Sequence, residues 1–134
     1  METTMDKSGS EKQERAVELK HGGCNCCQAV LCAFAGESGL PESLLKQLGA
    51  GFGAGMGCME ATCGALVGAQ ILLGLKKYSG RPVMAEAKAL HQKFSQKCGA
   101  SICKVLKGID TGVVLCDCDD CVRNAVALVE EMLR

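Results

Sequence analysis

The sequence predicts an all-α fold, a compact bundle of about five to six helices with a glycine-rich loop. Three observations predict it. Apolar residues recur at three- and four-residue spacings along most of the chain. Gly- and Pro-containing breaks separate those stretches. No segment alternates convincingly between apolar and polar residues, the short Val113 to Leu115 being the one partial case. A chain of 134 residues is one domain, long enough to bury a core without covalent staples.

Residues 1–10 read as a disordered tail, and residues 11–134 as a single helical domain. Glu11 to Lys20 has helix-forming composition and stops at His21-Gly22-Gly23. From Asn25, Cys27, Val30, Leu31 and Phe34 follow helical spacing, ending near Gly36 to Gly39. Pro41 opens PESLLKQL at the first-turn position that proline tolerates. Gly49 to Gly57, GAGFGAGMG, is a glycine-dense loop. A helix from Thr62 shows Ala65, Ala69, Leu72 and Leu73 on one face. After Gly80 and Pro82 a long helix covers about Val83 to Lys97, and Ser101 to Leu106 forms a short helical turn. The last helix runs from Cys118 to Leu133, with Val122, Ala125, Val126, Val129, Met132 and Leu133 as its stripe. Asp117, Asp119 and Asp120 suit the positive end of its dipole.

Composition narrows the function. Lys plus Arg and Asp plus Glu are 15 each, a balance that argues against nucleic acid. Trp is absent and only Tyr78 and three Phe are aromatic, so platforms for base stacking are missing as well. The apolar run after Glu60 reaches 15 residues before Lys76, too short for a bilayer. The polar start METTMDKSGSEKQE has no h-region, so a cytoplasmic location is expected. Cytosolic thiols stay reduced, and eleven cysteines, an odd count, cannot all pair. That turns the reading toward metal or redox chemistry.

Four cysteines sit at expected helix starts: Asn25-Cys26, Thr62-Cys63, Ser101-Ile102-Cys103 and Asp117-Cys118. Unpaired N–H groups and the positive dipole end favour the thiolate there, the form that binds metals and attacks disulfides. In Cys63-Gly64-Ala65-Leu66-Val67-Gly68, Gly64 and Gly68 share one face. That face permits close approach of either a cofactor or simply another helix. The glycine loop reads either as a tight turn or as backbone N–H groups facing an anionic centre. It lacks the strand and the lysine of a nucleotide-binding loop. Cys24-x-x-Cys27 and Cys118-x-x-Cys121 form two CxxC pairs without a βαβ context. Cys24, Cys32, Cys58, Cys98 and Cys116 read as core or incidental thiols, and His21 and His91 as surface or capping groups. No serine triad or acid–base dyad is visible, so no residue is assigned as catalytic.

Five ordered blocks carry a further signal. They are Asn25-Cys26-Cys27-Gln28-Ala29-Val30-Leu31, Gly51 to Gly57, Thr62 to Ala69, Cys103 to Asp110, and Cys118-x-x-Cys121-Val122-Arg123-Asn124-Ala125-Val126. With these blocks the chain, from about residue 22 onward, resembles the putative redox-active family named for its cysteine pattern, C_GCAxxG_C_C. The resemblance implies four defining cysteines, which fall on Cys26, Cys63, Cys103 and Cys118. The related domain of split-Soret cytochromes carries an iron–sulfur cluster, which implies a similar role here. This chain adds thiols beside the motif. Cys24 and Cys27 are alternatives to Cys26, and Cys116 and Cys121 to Cys118, with Cys27 and Cys121 the first substitutes.

Three functions compete. The first is an electron carrier with a [2Fe–2S] or [4Fe–4S] cluster on Cys26, Cys63, Cys103 and Cys118, gathered by folding across about 90 residues. The second is a thiol–disulfide oxidoreductase or redox sensor using the same cysteines. The third is a structural zinc module. A shared site requires the four sulfurs at one end of the bundle, roughly 4–7 Å apart around a small cluster. An electron donor or acceptor protein is the expected partner, and a homodimer fits the extent of small-residue helix face.

Overall fold

The computed structural model describes residues 7–134, with side-chain surroundings from residue 11. It is all-α, and among the described residues the one β feature is an isolated antiparallel bridge between Thr62 and Ile102. Val113 to Leu115 forms no strand. The helices are α1 (Lys7–His21), α2 (Cys26–Ala33), α3 (Ala35–Ser38), α4 (Glu42–Gly49), α5 (Gly64–Lys77), α6 (Met84–Cys98), α7 (Cys103–Lys107) and α8 (Cys118–Met132). A five-residue π-type turn, Gly55–Met59, lies between α4 and α5.

The bundle therefore has more helical segments than five or six. The extra ones are α3, α7 and the π-type turn, of four, five and five residues. Segments that short complete too little of a 3.6-residue period to announce themselves. The expected disordered tail also needs correction. Helix α1 begins at Lys7, because extending an existing helix adds one hydrogen bond per residue fixed and carries no nucleation cost. Residues 1–6 of the expected tail lie outside the described residues.

Helices α2, α5 and α8 form the centre. The apolar positions expected on α2, Cys27, Val30, Leu31 and Phe34, are all buried. So are Ala65, Ala69, Leu72 and Leu73 of α5, and Val122, Ala125, Val126 and Val129 of α8. Burying a Leu or Val side chain contributes roughly 1.5–3 kcal/mol, and here the load falls on these aliphatics plus Phe94 and Phe34. Glycine lets the two central helices meet. A Cβ at Gly68 would stand 3.0 Å from the Cys27 carbonyl oxygen and 3.2 Å from Val30 Cβ. The Gly64–Gly68 face is thus, at Gly68, a helix-packing seam. No helix among the described residues is long and apolar enough to cross a membrane.

Outside this centre, α1 is held by charge as well as by packing. Arg123 of α8 donates to both carboxylate oxygens of Glu14 at 2.8 and 3.2 Å. His21 meets Asp119 at 2.9 Å, an exposed pairing that fits its surface reading.

A thiol-lined pocket at four helix starts

Four separate chain segments bring a cysteine to one place. Cys26 is the first residue of α2, which Asn25 caps reciprocally. The Asn25 side-chain oxygen accepts from the Gln28 N–H at 2.8 Å, and the Gln28 oxygen accepts from the Asn25 N–H at 2.9 Å. The Asn25 amide also donates to the Gly49 carbonyl at 3.1 Å, tying the start of α2 to the end of α4. Cys118 opens α8 behind Asp117, whose carboxylate accepts from the Asp120 N–H at 2.8 Å. Cys63 is itself the N-cap of α5, which begins at Gly64, two residues later than the expected start at Thr62. Thr62 is used instead in the bridge to Ile102. That bridge bonds Cys63 N–H to Ser101 O at 2.8 Å and Cys103 N–H to Ala61 O at 3.0 Å. It sets the starts of α5 and α7 side by side.

Cys26, Cys63, Cys103 and Cys118 all line one cavity of about 420 Å³, together with Cys24, Gly64, Met59, Lys20 and Lys107. Cys27 and Cys121, the expected substitutes, do not line it; both are fully buried behind it. Cys24 does reach the cavity wall. Cys32 is in the core, and Cys58 is exposed on the π-type turn. All eleven cysteines are free thiols.

The glycine loop forms one wall by an unusual backbone path. Ala54, Met56 and Met59 hold φ of 50°, 61° and 67°, the left-handed region. Each such non-glycine residue costs on the order of 1–3 kcal/mol, so surrounding packing must impose the path. Gly55 lies among them at φ 60°, and a Cβ there would stand 2.7 Å from Cys103 Cβ. Glycine is required at that position both for the dihedral and for the space. Met59 brings its sulfur within 3.9 Å of Cys103.

The pocket sulfurs are electrostatically unequal. A hydrogen bond from Cys26 pulls the Cys118 thiol down to about 5 against the effect of burial, with Lys107 and Lys20 assisting. Cys26, donor of that bond, is pushed up by it, by burial and by the neighbouring sulfurs. Cys63 is lowered to about 7 by a hydrogen bond from Cys121, against burial, with the N–H groups of Ala65 and Leu66 at the start of α5 contributing. Burial raises Cys103, although Lys107 opposes it. On Lys107 itself burial acts to lower the pKa, but the charges of Cys121, Cys118, Cys63 and Cys103 outweigh it, so the ammonium is strongly retained. The arrangement can hold an anionic group against two lysines and several helix N–H groups.

A second thiol cluster lies behind the first. Cys98, Cys116 and Cys121 have sulfurs all within 4.8 Å of one another and are buried. Sequence reasoning read Cys98 as core or incidental and weighed Cys116 only as an alternative to Cys118. The available signal was the density of Cys116, Cys118 and Cys121, since Cys98 enters only through tertiary packing. Lys20 and Lys107 were missed as well, because a single lysine at a helix end carries no mark of the cavity it faces.

No curated protein and no solved structure gives a significant match to this chain. The family described as "Putative redox-active protein (C_GCAxxG_C_C)" matches residues 24–132, a span that includes every pocket cysteine and the cluster behind them. With most of its length inside that match and its thiols gathered as described, the chain belongs to this redox-active family.

Proposed function

We propose that the pocket holds a small iron–sulfur cluster on Cys26, Cys63, Cys103 and Cys118 and that the protein transfers electrons. One observation carries the reading: four thiols from four helix starts line a single cavity. Among the described residues, the three sulfurs gathered mutually within 4.8 Å are those of Cys98, Cys116 and Cys121, and no three pocket sulfurs form such a set. A single zinc ion needs sulfurs about 3.8 Å apart, from ~2.3 Å bonds in tetrahedral geometry, whereas a cluster of several atoms suits a wider ring.

The residues present fit such a group. The soft donors are thiolates, Lys107 and Lys20 offset negative charge, and the α2, α5 and α8 starts supply N–H groups. When bound, an iron–sulfur cluster supplies one-electron chemistry. The chain's part is to hold the four ligands and set the surrounding charge. An electron donor or acceptor protein is the partner this requires. A reducing compartment such as the cytoplasm would keep the eleven thiols available.

The Cys26–Cys118 pair favours a second reading. A thiolate at Cys118 beside the protonated Cys26 is the arrangement of a thiol–disulfide exchanger. Cys118 would attack a partner disulfide and release one thiolate. Cys26 would then give its proton to the released thiolate, attack the mixed disulfide and displace the second partner sulfur, leaving a Cys26–Cys118 disulfide and a partner reduced by two electrons.

The deciding experiment is anaerobic reconstitution with iron and sulfide, followed by iron and sulfide analysis and a visible spectrum. Wild type should take up both, and Cys63→Ser should lose most of the content, because a hydroxyl is a harder and poorly ionised donor. Cys32→Ala, a core change away from the pocket, should retain it. Equal content in Cys63→Ser and wild type would return the pocket to the exchange reading.

A further inference from the structure

The inner thiols have geometry of a different kind from the pocket. Cys98 is the last residue of α6, Cys116 lies in the segment before α8, and Cys121 sits in the first turn of α8. Their sulfurs lie mutually within 4.8 Å and are 4%, 8% and 0% exposed. One turn along α8 from Cys121, on the same face, the Asn124 side-chain nitrogen stands 3.3 Å from the Cys98 sulfur and 3.8 Å from the Cys116 sulfur.

We propose that Cys98, Cys116 and Cys121, with the Asn124 amide oxygen as fourth ligand, form a zinc site separate from the pocket. A side-chain amide can turn over and exchange its oxygen for its nitrogen at nearly the same place. Tetrahedral zinc with bonds of ~2.3 Å to sulfur and ~2.05 Å to oxygen requires about 3.8 Å between sulfurs and about 3.55 Å from sulfur to oxygen. The 3.3 and 3.8 Å separations at Asn124 bracket the second value. The 4.8 Å limit on the sulfurs leaves only small side-chain adjustments for the first.

The donor chemistry agrees. Three thiolates and no carboxylate select a soft or borderline ion, and burial disfavours exchangeable water ligands. Zinc binding to three thiols releases three protons and leaves the site with one net negative charge. Lys97 and Lys107 lie near enough to Cys98 and Cys121 to act on them electrostatically. Cys63 lines the pocket and is outside the tightly gathered set. Bound zinc would pin the start of α8 to the end of α6. The connection it closes carries α7 with Cys103, so the inner site would brace two of the four pocket thiols, Cys103 and Cys118.

The test uses the full chain with the pocket disabled, Cys26→Ala/Cys118→Ala, reduced and freed of metal. Zinc titrated against a chromogenic chelator should bind at one ion per chain. Zinc-edge X-ray absorption should then show three sulfur neighbours and one oxygen or nitrogen. Adding Cys98→Ser and Cys116→Ser should abolish stoichiometric binding, and Asn124→Ala should weaken it roughly tenfold while Asn124→Asp restores it. Circular dichroism checks the fold of each variant, and the absorption result on the parent stands even where a triple or quadruple variant fails to fold. No stoichiometric zinc in the parent, or four sulfur neighbours, would overturn the site. Iron and sulfide uptake by wild type is a separate measurement, so failure of the zinc site and failure of the pocket reading are distinguishable.

Discussion

Cys26 and Cys118 show how position sets the chemistry of one residue type. Both open a helix, yet one proton shared between them makes Cys118 the thiolate and Cys26 the donor. Since the folded pKa of Cys118 lies below the ordinary 9.0, its reactive form survives acidification down to about 5. Alkylation of Cys118 by iodoacetamide in the metal-free protein should hold level through neutral pH and halve near pH 5. In Cys26→Ala the donor is gone, so that midpoint must move upward. Mass-spectrometric rates at this cysteine across pH test both statements; a midpoint near 9.0 in wild type would refute the pairing. The helix-start argument that singled out Cys118 was legible because Asp117 and the acidic first turn are local marks. The partner thiol that completes the effect comes from a helix 92 positions away, and no local mark points to it.

At the scale of the element, α5 carries opposite constraints at its two ends. A Cβ at Gly64 would stand 2.6 Å from the Phe52 carbonyl oxygen, a backbone atom that cannot step aside as a side chain can. Ten residues on, Gly74 has nothing within 4 Å of such an atom. The same substitution should therefore have opposite signs in one helix. Gly64→Ala should cost about 1–3 kcal/mol through forced backbone movement. Gly74→Ala should add roughly 0.5–1 kcal/mol through helix propensity. Urea unfolding of both variants measures the pair, and equal effects would show that the seam at Gly64 is loose. Sequence pattern found this helix and its apolar face, because Ala65, Ala69, Leu72 and Leu73 repeat at its period. It started the helix two residues early, because Thr62 is held in extended pairing with Ile102. It also had no access to the loop before α5. Ala54, Met56 and Met59 adopt dihedrals against their own preference, and only the packed structure imposes that.

Across the whole molecule, the pocket is where four chain segments must agree, and this links ligand binding to folding. The unfolded chain holds Cys26, Cys63, Cys103 and Cys118 far apart, so a group bound by all four binds the native state almost exclusively. Linkage then stabilises the fold by about 2.7 kcal/mol when the free ligand stands at 100 times its dissociation constant. Under the cluster reading, anaerobic reconstitution should raise the melting temperature of wild type and leave that of Cys63→Ser near its metal-free value. Differential scanning calorimetry in sealed anaerobic cells, with iron analysis on the same samples, makes the comparison. A melting temperature that rises equally in both proteins would mean that the stabilising ion sits elsewhere. The inner thiols of Cys98, Cys116 and Cys121 are then the place to look, and adding Cys98→Ser to the Cys63→Ser variant should remove the rise. A melting temperature that rises in neither, with iron absent from both, would leave the pocket as a pair of exchanging thiols. Its convergence of helix starts would then serve the Cys118 thiolate alone.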